Sequence, residues 1–116
     1  NGTKKICIDT ITVRHGRVNS ICYIIDKKLA YISDVSKINK KDFKYFKNLK
    51  FLIIDCLWYK NHPSHLNFSE SIKLINLFSP KKAILTNLHS DLDYNELRQH
   101  LPKNIVPAHD GMEINL

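Results

Sequence analysis

A series of short apolar runs, each breaking off near a residue able to bind a metal, constrains this chain more than any other feature. The plainest case is Ala83-Ile84-Leu85, which leads through Thr86-Asn87-Leu88 into His89-Ser90-Asp91-Leu92-Asp93-Tyr94. Upstream, His15 lies just past Val13, Asp34 follows Leu29-Ala30-Tyr31-Ile32, and Asp55 follows Phe51-Leu52-Ile53-Ile54. His65 sits in the loop beyond. Apolar runs of this length, bounded by turn residues, read as buried strands. Strands that end on ligand types carry them to the edge of a sheet, where α/β proteins build their sites.

The first half of the chain is strand-like. Ile6-Cys7-Ile8 through Val13 alternates apolar with polar, and Ile21 to Ile25 is a continuous β-rich run ending at the turn Asp26-Lys27-Lys28. Leu29 to Ile32 returns from that turn, which predicts an antiparallel sheet with one buried face. From Asn39 the period changes. Asn39 with Asp42 resembles a capping pair and Ile38 can staple onto Phe43, predicting a short helix through Phe46. Phe51 to Ile54 is a fully apolar strand, and residues 58–66 are an irregular loop. Asn67 and Glu70 then open a helix over 68–78, with Ile72, Leu74, Ile75 and Phe78 as its apolar stripe and Ser79-Pro80 as its stop.

Asp93 and Glu96 form another capping pair, with Leu92 and Leu97 as its staple, so a helix is predicted to about Leu101, before Pro102. Ile105 to His109 and Met112 to Leu116 flank Asp110-Gly111, a strong hairpin signal. The predicted order is β-β-β-α-β-α-β-α-β-β: a single domain over 1–116, α/β in class, a mixed or antiparallel sheet with helices on one face.

Composition narrows the classes. At 116 residues, 43% hydrophobic and 25% charged, the chain has the makeup of one soluble globular domain. Its longest apolar runs fall far short of the ~20 residues a bilayer span needs, and no basic-then-apolar leader opens it, so a cytoplasmic protein is expected. Cys7, Cys22 and Cys56 are widely spaced within strand-like runs and read as free, buried thiols. The formal charge of +7 favours phosphate-bearing partners in general. The lysines, however, are scattered over Lys4-Lys5, Lys27-Lys28, Lys37 to Lys50 and Lys81-Lys82, without interleaved aromatics, and a dedicated nucleic-acid module is not expected.

Imidazole and carboxylate are the donors that hold first-row metals, and a carboxylate can bridge two ions. Taken singly, His15 reads as a surface histidine and Asp34 as a turn carboxylate. Together with Asp55 they read as the edge of a site. His65, in His62-Pro63-Ser64-His65, sits just ahead of a helix and offers an imidazole that could move a proton. His100 and His109 read as surface residues, and Trp58 and Tyr59 as packing.

In combination, His15-Gly16, Tyr31-Ile32-Ser33-Asp34-Val35-Ser36, Leu52-Ile53-Ile54-Asp55, His62-Pro63-Ser64-His65-Leu66, the 85–94 segment and Asp110-Gly111-Met112 resemble the C-terminal half of metallo-β-lactamase-fold hydrolases. Within that superfamily the chain looks most like the phosphoribosyl cyclic phosphodiesterase group. The resemblance implies half of a four-layer αββα sandwich that carries two divalent ions, zinc or manganese, at one edge. It implies that His15 is a ligand of the first metal, that Asp34 bridges both, and that His65 is the proton donor. The family's last ligand is often a histidine directly after the threonine matching Thr86. That position holds Asn87 here, with His89 two residues on, so either is the candidate.

The family's His-x-His-x-Asp-His loop is nowhere in these residues. The resemblance therefore implies a C-terminal, truncated portion of a metal-dependent phosphodiesterase acting on cyclic phosphates or nucleotide-like esters. Its metal sites would be partial or absent and its N-terminal half missing. The alternative is a small basic, non-enzymatic domain that binds RNA or a protein partner. A homodimer formed through an uncovered sheet face is a further expectation.

Overall fold

The computed structural model describes residues 5–116; Lys4, half of the first lysine pair, lies outside them. Their strands are β1 (Ile8–His15), β2 (Val18–Ile25), β3 (Leu29–Ile32), β4 (Phe51–Asp55), β5 (Lys82–Thr86) and β6 (Ile105–Pro107), joined in a single sheet in sequence order. β1–β2 and β2–β3 are antiparallel, whereas β3–β4, β4–β5 and β5–β6 are parallel. The antiparallel start follows from tight turns. Asp26 and Lys27 both take positive φ, and the Lys28 N–H donates to the Ile25 carbonyl at 2.9 Å, the geometry that matches strand twist in a hairpin. The parallel remainder follows from helical crossovers.

Helix α1 (Phe68–Phe78) begins at a complete capping box. Asn67 accepts from the Glu70 N–H at 2.8 Å, and Glu70 accepts from the Asn67 N–H at 3.0 Å. Helix α2 (Tyr94–His100) is capped by Asp93, which accepts from the Glu96 N–H at 3.0 Å. The segment Lys40–Phe46 is helical as expected but tightens to 3-10 form, with Asn39 accepting from the Lys41 N–H. Lys40 and Lys44 would sit one above the other, at i and i+4, in an α-helix, and like charges at that spacing oppose it.

One face of the sheet carries the core. Ile11, Cys22, Ile32, Leu52, Ile54 and Leu85 pack beneath Phe46, Ile75 and Phe78, whose aromatic rings at 46 and 78 stack with centroids 4.9 Å apart. α1 and the 40–46 turn thus lie on one side, and α2 packs against β6. The opposite face, traced by the registers Thr10↔Tyr23, Tyr23↔Tyr31 and Tyr31↔Ile53, is open over β1 to β3 and closes at Ile84, which is buried. On it Ile8, Ile21, Tyr23 and Tyr31 are 56%, 51%, 45% and 39% exposed. Contiguous exposed apolar surface of this kind marks a face that normally meets something else.

Two expectations need correction. The closing hairpin does not form. The Asp110-Gly111 turn is present, with the Met112 N–H donating to the His109 carbonyl at 3.1 Å, but residues 112–116 are not a strand. Pro107 sits at the centre of the would-be hairpin strand and has no N–H to offer a second arm. Cys7 is not buried but exposed, because β1 starts only at Ile8. No helix among the described residues is long and apolar enough to cross a membrane.

Cys22 and Cys56 are buried, and desolvation pushes both thiols up to about 12. Since the thiolate is the reactive form, Cys7 alone should react with Ellman's reagent in the native chain, and all the cysteines after denaturation. Rapid modification of a second thiol without denaturant would contradict this packing.

Candidate metal centre

The strand directions gather the candidate residues. β1 and β3 both run antiparallel to β2 and so parallel to each other, and β3 to β6 are mutually parallel. The C-terminal ends of β1, β3, β4 and β5 therefore share one edge. His15 is the last residue of β1, Asp34 lies two beyond β3, Asp55 ends β4, and Asn87 directly follows β5. The loop after β4 adds His65 to the same edge. One ligand atom each from His15, Asp34 and His65 all lie within 4.8 Å of one another.

Hydrogen bonds aim the rings. His15 Nδ1 lies 2.6 Å from the Ser64 carbonyl oxygen, which can only accept, so Nδ1 carries the proton and Nε2 the lone pair. His65 Nδ1 is 2.7 Å from Asp55 Oδ2, leaving its Nε2 free in the same way. The two rings meet edge to face with centroids 4.8 Å apart. Such outer partners fix tautomer and orientation in metal-binding histidines. Gly16 makes the His15–Ser64 contact possible. It has φ +65, and a Cβ there would meet Ser64 Oγ at 2.6 Å.

Asp55 is fully buried. Oδ2 accepts from the Val35 N–H at 3.1 Å as well as from His65, while its backbone carbonyl accepts from Ser71 Oγ. Burial raises its carboxyl above the usual range, opposed by the Val35 and His65 hydrogen bonds. Among the described residues Oδ1 has no hydrogen-bond partner. The chain's sequence offered one signal for this role: Asp55 ends a wholly apolar strand beside the one that leads to Asp34.

The remaining candidates are placed differently. Asn87, at φ +59, donates its side-chain amide to the Ser33 carbonyl and so ties the end of β5 to the residue before Asp34. His89 stacks on Trp58 with centroids 5.0 Å apart, and its Nδ1 accepts from the Asp91 N–H at 3.0 Å. It is not among the residues whose ligand atoms gather with His15, Asp34 and His65. Two imidazoles and one carboxylate, with both rings anchored through Nδ1, suit a divalent first-row metal.

No family model and no curated protein matches the sequence. Solved structures do. A diphosphatase from the PhnP family superposes with a TM-score of 0.90 at 28% identity, over 94% of this chain and 43% of that one. The metallo-β-lactamase fold protein YhfI from Bacillus subtilis gives 0.76 at 17% identity, over 97% and 50%. Human tRNase Z, short form, gives 0.74 at 14% identity, over 99% and 44%. The chain therefore has the α/β fold of the C-terminal half of metallo-β-lactamase-fold proteins, and it spans only about half the length of these structures. Within that fold, its likeness to the PhnP-family diphosphatase extends from shape to sequence.

Replacing Gly16 by alanine forces a side chain into the left-handed region and against Ser64. The expected cost is about 1–2 kcal/mol in urea unfolding. An unchanged midpoint would show that the 15–16 turn is not held as described.

Proposed function

We propose that this chain is the C-terminal half of a metal-dependent hydrolase of phosphodiesters, acting on cyclic phosphates or nucleotide-like esters. The observation that carries the reading is the convergence, within 4.8 Å at the strand-end edge, of two candidate metal ligands, His15 and Asp34, with the His65 imidazole beside them to move a proton. Similarity to a PhnP-family diphosphatase supports hydrolysis at phosphorus over other hydrolyses.

In this reading His15 and Asp34 would hold divalent metal, zinc or manganese, with Asn87 or His89 as the further candidate ligand. A bound divalent ion polarises a phosphoryl oxygen and offsets its charge. His65 supplies the proton. As an imidazolium it donates from Nε2 to the departing oxygen, while Asp55, bonded to Nδ1, stabilises the charged ring and holds its orientation. The other ligands belong to the half of the fold that these residues do not include. That half also covers the apolar face of Ile8, Ile21, Tyr23 and Tyr31. The free thiols suit a cytoplasmic setting.

The chain alone should show no turnover of bis-p-nitrophenyl phosphate with added zinc or manganese, while the full-length protein should hydrolyse it and lose that activity to a chelator. Turnover by the isolated chain, or activity that resists chelation, overturns the ligand assignment. In the full-length protein, His65→Ala should lower kcat by about 10²–10⁴. The loss should be greater for poor leaving groups, with metal content unchanged. Loss of metal instead would make His65 a ligand and not the proton donor.

A further inference from the structure

Along the free edge of β1, opposite the 40–46 turn, runs an open groove of about 1070 Å³. Arg14, Lys27, Lys37, Lys41, Lys44 and Lys47 line it and are all exposed, against only Asp9 and Asp42 of opposite sign. These cations are scattered in sequence, and the fold brings them to one place. Tyr45, 48% exposed, also lines the groove, with the Lys44 ammonium 5.2 Å from its ring centroid. Arg14 adjoins His15 in β1, and its backbone N–H donates to the Lys37 carbonyl at 3.0 Å. Lys37 lies three residues after Asp34, so this end of the groove leads to the metal centre.

We propose that the groove binds a single-stranded nucleic acid, its phosphates on the lysines and a base on the Tyr45 ring. At about 1070 Å³ the groove matches the roomiest small-molecule pockets, which run to about 1,000 Å³, and it is open along its length where those are enclosed. Cations that follow a backbone, combined with an exposed aromatic face, are the two parts from which single-strand sites are built. An acidic peptide would use the cations and leave the tyrosine without a role. The inference deepens the hydrolase reading by making the substrate an oligonucleotide that reaches the strand-end edge from this side. That cleavage step rests on the proposed function, whereas binding does not.

Binding is tested by fluorescence anisotropy with this chain and a labelled oligouridylate of about eight nucleotides, in the presence of EDTA. Lys41→Glu/Lys44→Glu should weaken binding about tenfold or more. The same charge change away from the groove, Lys73→Glu/Lys81→Glu, should cost less than about threefold. Tyr45→Ala should weaken binding about fivefold or more. The milder Lys41→Gln/Lys44→Gln should lower the slope of log affinity against log salt by about 1.4. Equal losses for the two Glu pairs, no effect of Tyr45→Ala, or displacement by polyglutamate as effective as by unlabelled RNA each overturns the proposal. Because metal is excluded, groove binding by a protein that proves inactive at full length would sink the hydrolase and leave the groove. Activity on small phosphodiesters without groove binding would do the reverse.

Discussion

The buried carboxylate of Asp55 is the interaction on which the strand-end edge depends. A carboxylate with no exposed surface is expensive to keep charged unless donors surround it. Here the donors come from separate pieces of chain: the Val35 N–H just after β3 and the His65 ring from the loop after β4, while Ser71 in the first turns of α1 bonds its backbone carbonyl. Each donor lowers the cost of burial, and in doing so each segment is fixed relative to the others. Asp34 immediately precedes Val35, so the same hydrogen bond that satisfies Asp55 sets the position of the neighbouring candidate ligand. Removing this carboxylate would leave the buried Val35 N–H and the half-buried His65 ring without their partner, a cost felt in the fold and in the site together.

Strand direction does the rest. Had β1 and β2 been joined by a crossover, β1 would run the other way relative to β3, and His15 would lie at the far end of the sheet from Asp34. The reversal at Gly16, followed by the Asp26-Lys27 reversal, returns β3 to the direction of β1, and the helical crossovers then keep β4, β5 and β6 parallel. The pattern of two reversals and then crossovers is thus what brings candidate ligand atoms from residues widely separated in sequence within 4.8 Å of one another.

Much of this was legible from local signals because those signals are backbone chemistry. The Asn67/Glu70 and Asp93/Glu96 caps announce helices through the N–H groups they satisfy, and the apolar runs announce strands through the core they fill. The ends of runs likewise marked His15 and Asp34. What the sequence could not show depends on partners distant in the chain. Asp110-Gly111 signals a turn faithfully, but its arms do not become strands, and Pro107 has no N–H to offer the pairing. The exposure of Cys7 turned on where β1 begins. Asp55 read as one more acidic strand end, because its role arises from Val35, His65 and Ser71 converging on it. His89 sits in a loop whose aromatic stacking on Trp58 no spacing rule encodes. The basic groove was invisible for the same reason: Arg14, Lys27 and Lys37 are not neighbours until the sheet forms.

The two open surfaces of the sheet differ in the kind of cover they call for. Burying side chains such as Ile8, Ile21, Tyr23 and Tyr31 is worth roughly 1.5–3 kcal/mol for each large apolar group, is insensitive to salt, and favours a partner that stays. Exposed lysines are individually weak and screened by salt, so the groove favours a ligand that comes and goes. β1 borders both, because Ile8, Thr10 and Thr12 point to the apolar face and also line the groove. Whatever covers the apolar face therefore forms part of the groove's rim, and the groove reaches Arg14, the neighbour of His15. A permanent partner on one side of β1 and an exchangeable anion along its edge would meet at the strand-end cluster, where the half present here supplies His15, Asp34 and His65.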